Sequence, residues 1–309
     1  MRRILIVFIL LIAGLVAGTA FLLRDPGSRF ASRRSSLLRV TEHPPRVEGI
    51  SLVQTVRLTA RSGLAFDLVV SRPVADSGKR LPLALLLGGH YTGANAARLL
   101  GDHSGVVVAA VSYPFRGDLR PDAMTFLRQI PAVRAAFLDT PPALMLALDY
   151  LSGRPDVDST RMEAVGVSLG APFVVIAGAM DSRLARVWAV HGSGGSFAPL
   201  EVSMRRSIRS KPLRVSAAAI AAVILSGPRL DPTRWAPHIA DRPFVMVNAT
   251  DDERLPRASV EALYRSARSP KAIVWMPGGH VHGDQPTIQR LVEIVLPHVR
   301  TGDSVVSND

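Results

Sequence analysis

The sequence predicts an α/β fold in which a mostly parallel central sheet is flanked by helices. Two runs, LPLALLL at 81–87 and VVVAAV at 106–111, are apolar at every position, which is typical of strands covered on both faces. Helix-like segments alternate with such runs, for example at 141–151 and 287–299. Strands that alternate with helices pair in parallel, because each helix carries the chain back across the sheet.

The composition limits the chemistry that the chain can perform. The chain has 309 residues, of which 48% are hydrophobic, and it is long enough to bury one large core or two modest ones. It contains no cysteine. Disulfides, thiolate metal sites and a cysteine nucleophile are therefore excluded.

The first 23 residues are expected to form a membrane segment. Residues 4–23 carry no charge, and about twenty apolar residues at ~1.5 Å each suffice to cross a bilayer core. We therefore expect an uncleaved transmembrane signal-anchor, with a cleaved signal peptide as the alternative. The globular part would then lie outside the cytoplasm, anchored to a bacterial inner membrane on its periplasmic side, or secreted after cleavage. Residues 24–47, which are rich in Arg, Ser and Pro, are expected to be a linker.

The net charge of +12 raises the question of an acidic partner. Basic residues cluster at 29–39 and 205–214, where either anionic lipid headgroups or a solvated surface would suit them. The two clusters contain a single aromatic residue, Phe30, and the sequence shows no nucleic-acid-binding motif, so we expect no nucleic-acid partner. The sequence leaves the oligomeric state open.

From residue 48 onward the pattern predicts one domain that extends to residue 300 and is followed by a flexible tail at 301–309. It starts with a β-hairpin, since two β-prone runs are split by Arg61-Ser62-Gly63. Residues 198–240 break the later alternation, because they hold a basic cluster, an apolar run and several prolines. An insert of this kind over the strand ends predicts a helical lid.

The motif GVSLG at 166–170 is the strongest functional signal. A predicted strand at 162–167 leads into it and a helix-like segment follows, which puts Ser168 at a sharp strand-to-helix turn. Glycine on either side removes the Cβ atoms that would clash there. A serine hydroxyl is a poor nucleophile at neutral pH and needs a base that is oriented by a carboxylate. An ordinary serine in a glycine-rich loop is the alternative.

At these residues the chain resembles the α/β-hydrolase superfamily. The similarity extends over about residues 56–299 and rests on GVSLG, on NATDDERLP at 248–256 and on MPGGHVHG at 276–283. Within the superfamily the chain is most similar to esterases of the dienelactone-hydrolase and acyl-peptidase-like kind.

The resemblance implies a triad in the chain order Ser, acid, His. The family's acid commonly lies in an Asp-x-x-(Val/Leu)-Pro loop, which selects Asp252, with Asp251 as the alternative. Its histidine follows a glycine-rich turn, which selects His280, with His282 as the alternative.

The family also implies an oxyanion hole of two backbone N–H groups. Leu169, directly after the nucleophile, would supply one, and His90 in LLLGGHYTG would supply the other. Gly88 stands where many members have histidine. A second glycine-rich stretch, HGSGG at 191–195, is interpreted as a strand-end turn beside the site.

A metal-dependent hydrolase is the rival chemistry at the last motif. The letters HVHGD at 280–284 also spell His-x-His-x-Asp, a spacing found in dinuclear metal hydrolases. Such sites need further histidines nearby, and position 285 is Gln. We therefore expect neither a metal nor another cofactor.

These residues predict hydrolysis of a carboxylic ester through an acyl-serine intermediate, with Ser168 as nucleophile, His280 as base and Asp252 as the orienting acid. The apolar insert favours a small acyl ester or a lipid-like substrate. A serine peptidase or amidase of the same fold is the nearest alternative, since triad geometry does not separate leaving groups. A non-catalytic envelope protein on a hydrolase scaffold is the other.

Overall fold

The computed structural model describes residues 26–89, 92–115, 117–118 and 122–307, together with Gly18. Apart from Gly18, the predicted membrane segment at 1–23 lies outside these residues. Within the described ranges, no helix is both long and apolar enough to span a bilayer.

The described residues form a single sheet of ten strands. The strands are β1 Leu37–Glu42, β2 Arg46–Glu48, β3 Ser51–Ala60, β4 Ala65–Pro73, β5 Leu81–Leu87, β6 Val107–Val111, β7 Val157–Val167, β8 Leu184–Val190, β9 Phe244–Ala249 and β10 Lys271–Met276. Their order is β1-β3-β4-β6-β5-β7-β8-β9-β10, and β2 pairs with β3. The strands from β6 to β10 in this order pair in parallel, and the first four strands of the chain are antiparallel. The prediction of a mostly parallel sheet is confirmed.

Helices cover both faces of the sheet. They are α1 Gly27–Arg34, α2 Ala96–Leu99, α3 Ala123–Leu151, α4 Ala171–Met180, α5 Phe197–Ser203, α6 Lys211–Ile224, α7 Gly227–Leu230, α8 Pro232–Trp235, α9 Arg257–Ser266 and α10 Gln285–Thr301. Phe30 of α1, Leu144 of α3 and Phe173 of α4 share one core, whereas Ala97 of α2 and Leu291 of α10 belong to a second core.

The central strand β5 shows why its sequence is apolar throughout. Leu83, Leu85 and Leu87 lie in the first core, and Ala84 and Leu86 lie in the second. Successive side chains of a strand point to opposite faces. A strand between two cores therefore needs an apolar residue at every position.

The prediction of a linker at 24–47 is wrong for the part that the structure describes. Helix α1 and strands β1 and β2 occupy most of it, and Phe30 is fully buried, with its ring centroid 5.8 Å from that of Trp235. Arg33 donates two hydrogen bonds to Asp139, at 3.0 and 2.6 Å, and Arg34 pairs with Asp149. These arginines resemble a solvated or lipid-binding cluster in the sequence because their partners lie more than 100 residues later.

The helix predicted at 141–151 begins much earlier, at Ala123. Asp122 caps its start by accepting a hydrogen bond from the Thr125 N–H at 2.8 Å. Pro141 and Pro142 lie inside the helix. Because proline commonly marks the first turn of a helix, the local pattern favours a helix start at these prolines.

The insert at 198–240 lies between β8 and β9 and contains most of α5 together with α6, α7 and α8. On α6, the side chains of Leu213, Ile220 and Val223 are exposed.

Residues 302, 303 and 307 of the predicted tail at 301–309 form hydrogen bonds with two strands. Arg186 of β8 donates to the carbonyl oxygens of Gly302 and Asp303 at 3.0 and 2.8 Å. The N–H of Ile273 in β10 donates to Ser307 Oγ at 3.1 Å. The backbone after α10 thus lies against β8 and β10, and the flexibility of the tail stays a prediction.

Candidate active site

Ser168 lies on a strained turn between β7 and α4. Its φ is +54°, in the left-handed region that residues other than glycine rarely adopt. A Cβ at Gly166 would lie 2.6 Å from the carbonyl oxygen of Gly170, and a Cβ at Gly170 would lie 1.9 Å from that of Leu87. Both positions therefore require glycine, because the backbone segments approach too closely for a side chain.

Ser168, His280 and Asp252 form a continuous chain of hydrogen bonds. Ser168 Oγ lies 2.8 Å from His280 Nε2, and His280 Nδ1 lies 2.8 Å from Asp252 Oδ2. The three residues follow β7, β10 and β9, which run in the same direction and end at one edge of the sheet. The side chains of His280 and Asp252 are only 2% and 3% exposed.

The charge of Asp252 is stabilised by its surroundings. Burial alone would raise the pKa of this carboxyl, but hydrogen bonds from His191 and His280 outweigh burial and hold the Asp252 pKa well below its ordinary value. The backbone N–H groups of Arg254 and Leu255 also donate to Oδ1, each at 2.9 Å. An ionised carboxylate only accepts hydrogen bonds, so His280 carries its proton on Nδ1 and can accept the Ser168 hydroxyl proton at Nε2.

Glu253 connects the acid loop to the loop that carries His280. Its Oε2 accepts a hydrogen bond from the His280 backbone N–H at 2.9 Å. Its Oε1 lies 2.9 Å from Nε2 of His282. The two loops are thereby tied together beside the Asp252–His280 contact.

His191 is a site residue that the motifs did not indicate. It follows β8, and its Nδ1 lies 3.0 Å from Asp252 Oδ2. It is 1% exposed, and its ring centroid lies 5.0 Å from that of His280. Its Nε2 has no hydrogen-bond partner among the described residues. The HGSGG stretch signalled a strand end at the site, but only the folded chain shows that this histidine reaches the same carboxylate.

The two alternatives from the sequence lie outside this hydrogen-bonded chain. Asp251 is exposed, and its carboxylate accepts a hydrogen bond from the adjacent Thr250 hydroxyl at 2.8 Å. The His282 side chain is 52% exposed and contacts Glu253 and Arg254.

Potential metal ligands converge in a different way from the HVHGD pattern. Within the described ranges, ligand atoms of His191, Asp252 and His280 lie within 4.8 Å of one another, and the hydrogen bonds above already join them. Asp284, the last residue of HVHGD, instead accepts a hydrogen bond from the Thr287 N–H at the start of α10.

Of the two predicted oxyanion donors, the structure describes one. Leu169 lies in the 3-10 turn Ser168–Gly170, which leads directly into α4. The first N–H groups of a helix have no partner within it. His90 lies outside the described residues, although Gly88 and Gly89 just before it line a cavity that also reaches Ser168.

Two cavities meet at Ser168 and Leu169. The sheet cavity, of about 450 Å³, lies between the central strands, α2 and α10. The insert cavity, of about 290 Å³, lies between α4 and the insert, and its lining includes His191, His280, Pro199 and Leu225. Ser168 therefore lines both cavities, and in the part of the chain that the structure describes His280 lines only the insert cavity.

Comparison with known proteins gives matches of fold. No family model matches the chain, and no curated protein matches its sequence. The acetyl xylan esterase from Paenibacillus sp. R4 has 18% identity and a TM-score of 0.60, over 86% of this chain and 91% of its own. Acetyl xylan esterase 1 from Thermoanaerobacterium sp. JW/SL YS485 has 15% identity and a TM-score of 0.60, over 87% and 93%.

A third solved structure is the α/β hydrolase GrgF from Penicillium sp. sh18. It has 17% identity and a TM-score of 0.57, over 81% of this chain and 99% of its own. At such identities the likeness concerns the fold.

Proposed function

We propose that this chain, which has the α/β-hydrolase fold, is a serine hydrolase that cleaves carboxylic esters through an acyl-serine intermediate. The observation that carries the proposal is the 2.8 Å contact between Ser168 Oγ and His280 Nε2. It supplies the base that a serine hydroxyl needs near neutral pH. Two of the similar structures are acetyl xylan esterases, which supports an ester as the substrate.

In the proposed first step, Ser168 Oγ attacks the ester carbonyl carbon while His280 Nε2 takes its proton. Asp252 holds the imidazole in position and stabilises the cation that forms. The N–H of Leu169, with that of His90 as the proposed second donor, binds the oxyanion, and losing one such donor typically costs about 3 kcal/mol. His280 then donates its proton to the departing alcohol oxygen. A water molecule then attacks the carbonyl carbon of the acyl-enzyme while His280 takes its proton. His280 returns that proton to Ser168 Oγ as the acid is released.

The test of the nucleophile is labelling of the purified full chain with a fluorophosphonate probe. Ser168→Ala should abolish labelling and lower kcat for p-nitrophenyl acetate by about 10⁴- to 10⁶-fold. Ser159→Ala is the matched control, since Ser159 lies near the other end of β7, and it should label like the unchanged chain. Labelling that survives in Ser168→Ala, or a folded unchanged chain that neither labels nor hydrolyses esters, would contradict the proposal; the second result would favour a non-catalytic scaffold.

The acid is tested by a pair of adjacent substitutions. Asp252→Asn should lower kcat by about 10⁴-fold, because the imidazole loses the partner that fixes its tautomer. Asp251→Asn should change kcat less than twofold, since Asp251 is exposed and contacts Thr250. The reverse result would reassign the acid.

Ester and amide substrates are separated by comparing p-nitrophenyl esters with aminoacyl p-nitroanilides. We expect turnover of the esters and little turnover of the anilides. Efficient cleavage of the anilides would instead identify a peptidase or amidase.

We also propose that residues 4–23 anchor the enzyme in a membrane with its catalytic domain outside the cytoplasm. Support comes from the uncharged sequence of that segment, and from the exposed Leu213 and Ile220 of α6, the helix that begins at the exposed Lys211. An export-dependent reporter fused after residue 23 should be active, and an inactive fusion would refute this topology. The mass of the purified chain distinguishes an intact anchor from a cleaved signal.

A further inference from the structure

The sheet cavity has an apolar floor directly below the nucleophile. Ala84, Leu86 and Val165 line it from the sheet, and Val292 and Leu296 line it from α10. The polar lining residues, among them Thr92, Ser168, Arg254 and His282, lie on the loops and turns at the carboxyl ends of the strands. The cavity is therefore polar at the end where the reaction is proposed and apolar at depth.

The cavity exists because one face of the sheet is sparsely covered. Helix α2, which follows β5, has only 4 residues, whereas α3 on the opposite face has 29. Protein interiors contain few voids larger than a water molecule. An engineered apolar cavity of about 150 Å³ remains dry and binds benzene. A volume of about 450 Å³ with an apolar lining is therefore suited to an apolar ligand.

We infer that this cavity holds the acyl chain of the substrate, a linear aliphatic chain of about eight to ten carbons. The inference rests on the proposed function, because the aliphatic chain is the acyl group that Ser168 carries in the proposed acyl-serine intermediate. It identifies the substrates as esters of medium-chain fatty acids.

The positions of the two cavities decide which half of the ester each one takes. His280 must deliver a proton to the alcohol oxygen, so the alcohol has to lie on the His280 side of Ser168. His280 lines the insert cavity, together with the polar Ser193 and Ser196. Among the described residues, His280 does not line the sheet cavity, although Val281 and His282 after it do, and Gly88 and Gly89 of the predicted oxyanion loop line that cavity as well. The acyl chain is thus assigned to the sheet cavity and the alcohol to the insert cavity.

The depth of the sheet cavity limits the length of the acyl chain that it can hold. Its lining on β5 extends from the level of Gly88 down to Ala84, about 13 Å at ~3.3 Å per residue. On α10 it extends from Ile288 to Leu296, about 12 Å at ~1.5 Å per residue. An extended chain gains about 1.25 Å per bond, so about ten bonds fit.

The test is the dependence of kcat/KM on acyl length, measured on the full chain with monomeric p-nitrophenyl esters from acetyl to dodecanoyl. Each buried methylene should raise kcat/KM by up to about fourfold. We therefore expect octanoyl or decanoyl esters to exceed acetyl by about 100-fold or more, with a decline at dodecanoyl. A value that stays flat or falls beyond butanoyl would overturn the inference.

A substitution in the lining of the sheet cavity tests whether the acyl chain binds there. Val292→Trp narrows the cavity midway along α10 and should lower the ratio of decanoyl to acetyl kcat/KM at least tenfold. Ile294→Trp is the matched control, since Ile294 is a partly buried residue of the same helix that does not line the cavity, and the ratio should stay within twofold. Folding of Val292→Trp is checked by thermal melting. If the folded variant keeps the same ratio of decanoyl to acetyl kcat/KM, the acyl chain does not bind in the sheet cavity.

The two proposals fail in distinguishable ways. If acetyl ester hydrolysis depends on Ser168 but kcat/KM does not rise with acyl length, only the acyl assignment is lost. If Ser168→Ala leaves hydrolysis of all the esters intact, the proposed function itself is wrong. The profile of the unchanged chain is informative even if Val292→Trp does not fold.

Discussion

At Asp252, four donors converge on one carboxylate. Two are the imidazoles of His280 and His191, and two are the backbone N–H groups of Arg254 and Leu255. His191 adds a second imidazole to the Ser-His-Asp arrangement. It contacts Oδ2 of Asp252, whereas the two backbone N–H groups donate to Oδ1. We interpret His191 as a positioning residue, because it contacts the carboxylate and acts on Ser168 only through Asp252 and His280.

His191→Phe should lower kcat about tenfold while KM changes little. The ring volume is kept, but Asp252 loses a charge-assisted hydrogen bond, a type of bond that contributes about 1.5–3 kcal/mol. The test is steady-state kinetics on a short ester. His191→Asn should recover most of the activity, since its amide can donate from nearly the same position as Nδ1. If the Phe and Asn variants lose activity equally, the role of His191 is one of packing.

At the scale of the element, the strand-turn-helix unit of β7 and α4 depends on close backbone contact. The left-handed φ of Ser168 is strained, and the contacts of the turn with β5 hold it in place. Gly170 is the tightest point, because any Cβ there overlaps the Leu87 carbonyl oxygen at 1.9 Å. Gly170 is therefore needed both for the close packing of the turn against β5 and for the position of Ser168 on that turn.

Gly170→Ala should lower the melting temperature by about 5–10 °C, since overpacking costs about 1–3 kcal/mol and each kcal/mol shifts Tm by about 2–4 °C in a domain of this size. Gly153→Ala is the control, because its nearest neighbour, the Tyr150 carbonyl oxygen, would lie at an ordinary 3.6 Å. Thermal melts followed by circular dichroism measure both. Equal melting temperatures for the two variants would show that the turn can relax without cost.

At the scale of the whole molecule, arginines near the N-terminus join distant segments through buried carboxylates. Asp181 is 4% exposed and lies 2.5 Å from Arg183 and 3.6 Å from Arg34 of α1. Burial raises its pKa, but hydrogen bonds and charge from Arg183, together with the charge of Arg34, outweigh burial and hold the Asp181 pKa below its ordinary value. The folded chain therefore binds fewer protons at this site than the unfolded chain.

A carboxyl with a lowered pKa in the folded state stabilises the fold above its unfolded pKa of about 3.9. That contribution is lost as the pH falls through the folded value. The melting temperature should therefore decline from about pH 5 downward. Asp181→Asn should lower Tm by about 6 °C or more at pH 7, since removing one partner of a buried ion pair costs about 3–5 kcal/mol and each kcal/mol shifts Tm by about 2–4 °C, and the deficit should shrink toward pH 3. The exposed Asp241→Asn is the control and should follow the unchanged chain; a deficit in Asp181→Asn that is independent of pH would exclude the ionic explanation.

Much of the fold and part of the site follow from local sequence. The apolar runs predict buried strands because both faces of β5 are covered, and the glycines beside Ser168 predict the turn because no other residue fits there. Each of these signals depends on neighbours within about ten positions. The helix start at Ala123 was missed for the same reason, since the local rule for proline favours Pro141 as the first turn.

The tertiary structure shows which distant groups meet, whereas the resemblance to the family implied only the grouping of Ser168, Asp252 and His280. Asp251 and Asp252 are adjacent in sequence, and only the folded loop directs Asp252 toward His280. His191 gains its role from a carboxylate 61 residues later, and Arg33 becomes part of the domain through Asp139, 106 residues away. The sheet cavity likewise arises where β5, β7 and α10 come together. The amino-acid sequence by itself determined the strands, the nucleophile turn and the residue types available for catalysis. The pairing of those residues and the shape of the space around them were set by packing, because such contacts depend on distances in space that local sequence does not encode.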